Sequence, residues 1–158
     1  MNGGSDPGSR PTATASVVVV TKDRPRELAR LLGSLARQTA RPHEVIVVDN
    51  GSGPAAASAA APFRDSLPLR LVTETAPGIP AARNRGIHEA RGDLVLFIDD
   101  DCEADPRWVE RLVRPFARDP HIGAVGGEIL SGDPGRGLVE AFCADETLLR
   151  MGRDGDAP

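Results

Sequence analysis

Five short runs of aliphatic residues, many of them β-branched, constrain the fold of this chain more than any other feature. The runs are almost continuously apolar, which is typical of strands buried on both faces of a parallel sheet. They occupy residues 16–20, 44–48, 69–74, 93–98 and 122–130. Because parallel strands are joined by right-handed crossovers, usually through helices, the sequence predicts an α/β fold. We expect a doubly wound, mostly parallel sheet with helices on both faces.

The segments between the runs carry helical patterns. After the first run, leucines at positions 28, 31, 32 and 35 follow the spacing of one helix face, and Pro25 can begin that helix. Residues 78–92 also predict a helix. After the fourth run a further helix is expected, with Asp105 as its N-cap, Pro106 in its first turn and Pro115 kinking or ending it.

Composition fits one domain with flanking segments. The chain has 158 residues, of which 40% are hydrophobic, which is enough for one ordinary core. Residues 1–15 are rich in Gly, Ser, Pro and Thr and predict a disordered leader. The folded domain is expected over residues 16–130. For residues 131–158 we expect an incomplete, poorly packed tail, whose apolar side chains can drive self-association.

Charge and cysteine usage exclude several classes of partner. The formal net charge is −4 and the arginines are interleaved with acids, so we expect neither nucleic acid nor an anionic membrane as a partner. The apolar runs are too short to span a membrane. Cys102 and Cys143 are too few for a disulfide framework. A reduced, cytoplasmic location is the resulting expectation.

The stretch LVLFIDDDCEADPRW, residues 94–108, places three consecutive carboxylates after an apolar run. If the extended backbone continues, Asp99 and Asp101 point to the same side and Asp100 to the other. A divalent cation relieves the repulsion between carboxylates, and Mg²⁺ or Mn²⁺ often joins one or two of them to substrate phosphates. The alternative is that one of these acids caps the next helix and the others are solvated.

Four motifs in order resemble one known family. The stretches VVVVTKDRPRELARLLGSLARQ, PHEVIVVDNGSG, APGIPAARNRG and LVLFIDDDCEADPRW closely resemble the donor-binding half of the family 2 glycosyltransferases, which have the GT-A fold. The resemblance covers about residues 16–130. It implies an enzyme that binds a nucleotide-diphosphate sugar through Mn²⁺ or Mg²⁺ for inverting transfer to an acceptor hydroxyl.

The resemblance also implies roles for the acidic residues. Asp49 matches the acid that contacts the nucleotide base. Asp99 and Asp101 match the acids that contact the ribose and the metal-bound diphosphate; both are expected at the metal, and Asp101 is preferred as the direct ligand. Asp100 is expected as a lesser substrate contact. The sequence DNGS at residues 49–52 is also a strong turn signal, so turn formation is the alternative for Asp49.

Four further residues line the expected donor pocket by the same resemblance. Thr21 and Asp23 follow the first run, whereas Arg83 and Asn84 lie in the stretch that matches the family's segment beside the donor. The alternatives are a helix cap for Asp23, an ion pair with an acid on a helix face for Arg83, and for Asn84 a cap or a brace of the loop.

The general base of an inverting transfer is not assigned. In the family this acid follows the fifth strand, and the tail holds Asp145 and Glu146 without the family's pattern around the base. A binding-only fragment without transferase activity is therefore the alternative function. A phospho-accepting receiver domain is set aside, because it needs a lysine after the fifth strand and Lys22 is the only lysine. The resemblance specifies neither the sugar nor the acceptor.

Overall fold

The first four apolar runs form one parallel sheet in the computed structural model of the chain, which describes residues 13–119 and 121–127. The strand order is β3-β2-β1-β4, so β1 is paired on both edges. The doubly wound α/β prediction is confirmed. The elements are β1 (Ala15–Thr21), α1 (Pro25–Leu35), β2 (Glu44–Asp49), α2 (Pro54–Ala60), β3 (Leu69–Thr73), α3 (Ile79–Glu89), β4 (Leu94–Phe97) and α4 (Trp108–Arg118).

Both faces of the sheet are covered. Alternate residues of β1 and β2, such as Val17 and Val45, belong to a core cluster with the buried residues of α1, α2 and α4. The intervening residues, such as Val18 and Ile46, pack with Ala82 of α3 on the opposite face. All four of these strand residues are at most 1% exposed. The nearly continuous apolar runs therefore have the physical cause that the sequence indicated.

The leucine stripe of α1 is confirmed, since all four leucines are at most 1% exposed. The predicted cap of α4 is wrong. This helix begins at Trp108 with Arg107 as its N-cap residue. The Asp105 carboxylate instead accepts a hydrogen bond from the Arg107 N–H at 2.9 Å, within the turn that precedes the helix. Pro115 lies inside α4, which continues to Arg118.

Two parts of the chain were either not predicted from the sequence or lie partly outside the described residues. Helix α2, followed by a short 3-10 turn over Ala61–Phe63, was not predicted. In the fifth run, Ala124 forms a single bridge within residues 121–127, and residues 128–130 lie outside the described residues. The leader prediction for residues 1–12 and the tail prediction for residues 131–158 also fall outside them. No helix in the described ranges is long and apolar enough to cross a membrane.

A buried polar cluster closes the amino end of the sheet. Glu44 is 5% exposed and accepts hydrogen bonds from the Ser16 hydroxyl at 2.8 Å and the Arg91 N–H at 2.7 Å. Arg70 reaches the same carboxylate at 3.2 Å and donates to the Glu89 carbonyl at 2.7 Å. Burial alone raises the pKa of Glu44, but these hydrogen bonds and the Arg70 charge outweigh it and hold that pKa below its ordinary value.

Replacing Gly86 with alanine should destabilise the fold. A Cβ atom at Gly86 would lie 2.3 Å from Cγ1 of Val18, which is buried in the middle of β1. Helix α3 must then move away from the sheet, and overpacking of this kind costs about 1–3 kcal/mol. Urea unfolding followed by circular dichroism measures the loss.

Gly33→Ala is the matched control. Its Cβ would meet Arg37 and Phe63 no closer than 3.7 Å, an ordinary contact, and alanine favours the helix by up to about 1 kcal/mol. Equal unfolding free energies for the two variants would contradict the close approach of α3 to β1.

Glu44→Gln should lower the free energy of unfolding at neutral pH. It should also make that free energy change less as the pH falls. The folded pKa of Glu44 lies below the unfolded one, so its contribution is present above the unfolded pKa and is lost as the pH falls through the folded pKa. Unfolding free energies measured between about pH 7 and pH 3 should converge for the variant and the unmodified chain at the acid end. The exposed Glu103→Gln should leave the profile unchanged; parallel curves for Glu44→Gln would contradict the assignment.

Candidate functional site

Polar side chains gather at the carboxyl end of the sheet, and we call this edge the carboxyl rim: residues 21–24 after β1, 49–52 after β2 and 99–101 after β4. Thr21 is opposite Asp49 in the register of β1 and β2. Phe97, the last residue of β4, is opposite Val18, so the aspartates that follow it lie at the same edge of the sheet as Thr21. The order of the strands reverses between β1 and β4, and ligands of doubly wound sheets bind at such a point.

The three aspartates divide as the sequence analysis expected, with Asp100 buried and Asp99 and Asp101 exposed, but alternation along a strand is not the cause. Strand β4 ends at Phe97, and the Cys102 N–H donates to the Asp99 carbonyl at 3.1 Å, which closes a turn. Extended backbone therefore does not continue through the triplet, and the alternation argument does not apply. Asp100 is 5% exposed and points inward, where its Oδ2 accepts a hydrogen bond from the Thr21 hydroxyl at 2.8 Å.

Arginines relieve the repulsion among the three carboxylates. Nη1 of Arg24 lies 2.9 Å from Oδ2 of Asp101 and 3.4 Å from Oδ1 of Asp100. Nη2 of Arg83 lies 3.1 Å from Oδ1 of Asp99. Each carboxylate thus has a cationic partner. Arg83 is thus ion-paired, but with an acid of the triplet and not with the helix-face acid that the sequence analysis gave as the alternative.

The loop before α1 holds Arg24 in position. Arg24 is the N-cap residue of α1, and its carbonyl accepts the Leu28 N–H at 3.0 Å. Asp100 and then Asp101 raise the pKa of the Arg24 guanidinium, which stays charged. Arg30, one and a half turns along α1, donates to the Asp101 carbonyl at 2.8 Å. The sequence analysis missed both arginines; a search for counter-charges to three adjacent acids is the signal that points to them.

The DNGS sequence forms the turn that its composition favours. Asp49 is 4% exposed, and its Oδ1 accepts a hydrogen bond from the Ser52 N–H at 2.7 Å. The Ser52 hydroxyl accepts one from the Asp23 N–H at 2.8 Å, which joins this turn to the loop after β1. Asp23 has a φ of +57° and is not the N-cap residue of α1, so the cap alternative for Asp23 is wrong.

Asn50 is a structural residue of the site that the sequence analysis did not single out. Its amide nitrogen donates to the carbonyls of Glu74 and Ala76 at 2.9 and 2.8 Å. Its Oδ1 accepts the Gly78 N–H at 3.0 Å. Asn50 therefore holds the loop between β3 and α3 against the carboxyl rim. The position of an Asn between two turn residues hides this role in the sequence.

Arg83 and Asn84 are both exposed on α3. The Arg83 guanidinium lies 5.9 Å from the centre of the Phe97 ring as well as beside Asp99, so it is held over the end of β4. Asn84 is the next residue on the helix and belongs to the same surface. The structure thus brings Arg83, but not the Asn84 side chain, into the network of the three aspartates.

Cys102 follows the triplet as a free thiol. Burial, and then the negative charges of Asp101 and Asp99, raise the pKa of its thiol. A thiol that stays protonated is a poor nucleophile and a poor metal ligand. Nucleophilic catalysis by Cys102 is therefore disfavoured.

The carboxylates of this turn suit a metal ion that takes only some of its ligands from the protein. No cluster of three or more His, Cys, Asp or Glu side chains suitable for a metal occurs in the described part of the chain. The side chains of Asp99 and Asp101 are 69% and 52% exposed on one turn. Mg²⁺ and Mn²⁺ commonly take one or two protein carboxylates and complete their coordination with phosphate and water. Asp99 and Asp101 fit that requirement, whereas Asp100 is engaged by Thr21.

A cavity of about 580 Å³ lies elsewhere, between α4 and the amino end of β1. Ala13, Thr14 and Ala15 line it, together with residues of α4. It is at the opposite end of β1 from the carboxyl rim and holds none of the candidate site residues. The candidate site is an open rim with exposed carboxylates.

The chain matches the model of Glycosyl transferase family 2 over residues 16–141. It is 33% identical over 153 residues to a validoxylamine A glucosyltransferase of Streptomyces hygroscopicus subsp. limoneus, covering 90% of this chain and 33% of that protein. Other curated relatives are also longer: the chain spans 10% of one and 46% of another.

Two solved structures have a similar fold. The mannosyltransferase PcManGT from Pyrobaculum calidifontis, in complex with GDP-Man and Mn²⁺, aligns with a TM-score of 0.65 and 27% identity over 75% of this chain and 36% of that one. S. aureus TarS 1-349 in complex with UDP aligns with a TM-score of 0.64 and 27% identity over 79% of this chain and 38% of that one. The expected GT-A class is confirmed by these neighbours.

Asp100→Asn should destabilise the fold more than Asp101→Asn. The buried Asp100 carboxylate is bonded to Thr21 and Arg24, and an amide cannot compensate the Arg24 charge; losing a buried partner of this kind costs about 1–3 kcal/mol. Asp101 is half exposed, and exposed ion pairs contribute less than about 1 kcal/mol. Thermal and urea unfolding of the two variants measure the difference. A larger loss for Asp101→Asn would show that Asp100 is not the inward carboxylate.

Proposed function

The chain belongs to glycosyl transferase family 2, and we propose that it binds a nucleotide-diphosphate sugar at the carboxyl rim for inverting transfer of the sugar to an acceptor hydroxyl. One observation carries the proposal. Two exposed carboxylates, Asp99 and Asp101, lie on one turn at the point where the strand order reverses, which is where doubly wound sheets bind ligands. The solved neighbour with GDP-Man and Mn²⁺ has the same fold.

Asp99 and Asp101 are the residues that would hold Mn²⁺ or Mg²⁺. A divalent cation there supplies neutralisation of the charge on the leaving diphosphate. Asp100 acts differently in this proposal: through Thr21 and Arg24 it fixes the turn that carries the two exposed acids. Its contribution to binding is therefore indirect.

The nucleotide side of the site is proposed around the loops after β1 and β2. Asp49 is retained as the residue nearest the nucleobase by family resemblance, and it also fixes the turn over residues 49–52. Thr21 is only 2% exposed and acts by orienting Asp100. Asp23 is exposed on the same loop, where its backbone N–H joins the two loops.

Arg83 and Asn84 are proposed for the diphosphate side. The Arg83 side chain is 45% exposed, so its guanidinium can turn from Asp99 toward a phosphate without a change in the helix. A planar guanidinium binds phosphate oxygens in pairs, which orients the leaving group. Asn84 is the next residue of α3 and is exposed, and its amide is proposed as a further donor to the same ligand.

In the proposed transfer the acceptor oxygen forms a bond to the anomeric carbon while the bond from that carbon to the diphosphate oxygen breaks. The acceptor proton passes to a general base, and the diphosphate leaves with the electron pair of the broken bond. No described residue is assigned as this base, and Asp145 and Glu146 lie outside the described residues. A cytoplasmic location remains part of the proposal, with the free thiol of Cys102 as its support.

Calorimetric titration of the 158-residue chain with UDP and with GDP, each with and without Mn²⁺, tests the binding proposal. We expect Mn²⁺-dependent binding of at least one of them. Asp101→Asn should weaken this Mn²⁺-dependent binding at least about tenfold. A loss of that size follows even when a residue that only supports a metal ligand is changed.

Asp65→Asn is the matched control, because Asp65 is an exposed acid just before β3, at the amino end of the sheet. It should leave the affinity unchanged. Binding that does not depend on Mn²⁺, or that Asp65→Asn weakens as much as Asp101→Asn, would contradict the proposed site. Mass spectrometry of sugar donors mixed with pooled acceptors separates transfer from the alternative of binding alone.

A further inference from the structure

We infer that Arg24 is an internal cation that competes with a divalent metal ion for Asp101, and that this competition makes metal binding depend on the nucleotide diphosphate. The inference rests on the proposed function and deepens it. It assigns a positioning role to an arginine that follows β1, about 76 positions before the acids that it contacts.

The contact is direct and specific. Nη1 of Arg24 lies 2.9 Å from Oδ2 of Asp101 while also lying 3.4 Å from Oδ1 of Asp100. A metal ion bound to Asp101 would lie about 2.0–2.2 Å from a carboxylate oxygen, and so within a few ångströms of the guanidinium. Two cations at that separation repel each other strongly in a partly desolvated site. Arg24 must therefore release Asp101 when the metal binds.

The side chain of Arg24 can move while its backbone stays. The guanidinium is half exposed, whereas the Arg24 carbonyl is fixed by the Leu28 N–H at 3.0 Å and the preceding residue is tied to Ser52. Asp100 remains anchored to Thr21. A released guanidinium therefore stays at the rim, where the oxygens of a diphosphate are its natural partners.

The charges at the turn indicate whether the metal ion and the diphosphate favour or oppose each other's binding. The three aspartates of the turn are balanced by Arg24, Arg83 and Arg30, the last at the Asp101 carbonyl. A divalent cation alone adds two positive charges to this balanced turn. A divalent cation together with the doubly charged diphosphate of a nucleotide sugar adds no net charge. Each ligand should therefore raise the affinity for the other, by equal factors.

The test measures Mn²⁺ affinity without nucleotide, by electron paramagnetic resonance of free Mn²⁺, for the unmodified chain and for Arg24→Gln. The variant should bind Mn²⁺ about two- to fivefold more tightly, because the metal ion no longer has to break an exposed ion pair, whose strength corresponds to that factor. The factor by which saturating UDP or GDP increases Mn²⁺ affinity should fall correspondingly. A merely structural role would weaken Mn²⁺ binding and would not strengthen it.

Two variants control for net charge and for the identity of the cation. Arg26→Gln removes an equal charge from an exposed position on α1 and should leave Mn²⁺ affinity at the unmodified value. Arg24→Lys keeps the competing charge and should stay within about twofold of the unmodified chain.

Unchanged or weaker Mn²⁺ binding by Arg24→Gln would overturn the inference, as would an equal gain from Arg26→Gln. If UDP and GDP do not strengthen Mn²⁺ binding by the unmodified chain, the proposed function and the inferred dependence on the nucleotide both fail, and a gain in Arg24→Gln then supports only the competition between Arg24 and the metal ion. If neither form binds Mn²⁺, both fail. Thermal unfolding of each variant verifies that the protein compared is folded.

Discussion

Strand β1 is the constraint on which the rest of the structure depends. It is paired with β2 on one edge and β4 on the other, and its residues from Val17 to Val19 are at most 1% exposed on either face. A strand without a free edge or face cannot carry polar side chains along its length without costly desolvation. Its polar side chains, Ser16 and Thr21, therefore lie near its two ends, where each has a hydrogen-bond partner. The carboxyl rim and the Glu44 cluster occupy those two ends.

The main features of the fold follow from sequence for the same reason. A strand buried on both faces must be apolar throughout, so β1 and β2 are visible as valine and isoleucine runs, and the leucine stripe of α1 is visible by its spacing. Helix α2 escaped prediction because it has no large apolar residues. Its buried residues are Ala56 and Ala60, which a pattern search does not separate from loop alanines.

The sequence predicted where the candidate site lies, but not how its backbone and side chains are arranged. Acids at the ends of neighbouring parallel strands must meet at one edge, so the place of Asp49 and of the triplet follows from the order of the elements. The sequence analysis set Asp100 apart from Asp99 and Asp101, but the alternation on which it relied holds only while a strand continues, and β4 ends at Phe97. The pairing of Arg24 with Asp101 spans 77 residues and is fixed by the packing of β1 beside β4.

Burial and charge then divide the three aspartates between structure and ligand binding. The inward Asp100 is 5% exposed and has a hydroxyl and a guanidinium as partners, which replace the water that a buried carboxylate loses. Asp99 and Asp101 each contact an arginine that is about half exposed, and pairs of that kind exchange partners at little cost. The same turn can therefore be rigid at its centre and adaptable on both sides.

Helix α3 links this adaptable rim to the rigid end of the sheet. Its first turn is held by Asn50 at Gly78, its middle lies against Val18 at Gly86, and its last turn is held where Arg70 meets Glu89. Three attachments fix a helix of 11 residues in position and rotation. The Arg83 backbone thus has a defined place above Asp99 although its side chain is exposed. The geometry of the ligand-facing end therefore depends on the partly buried ion pairs of Arg70 at the amino end of the sheet.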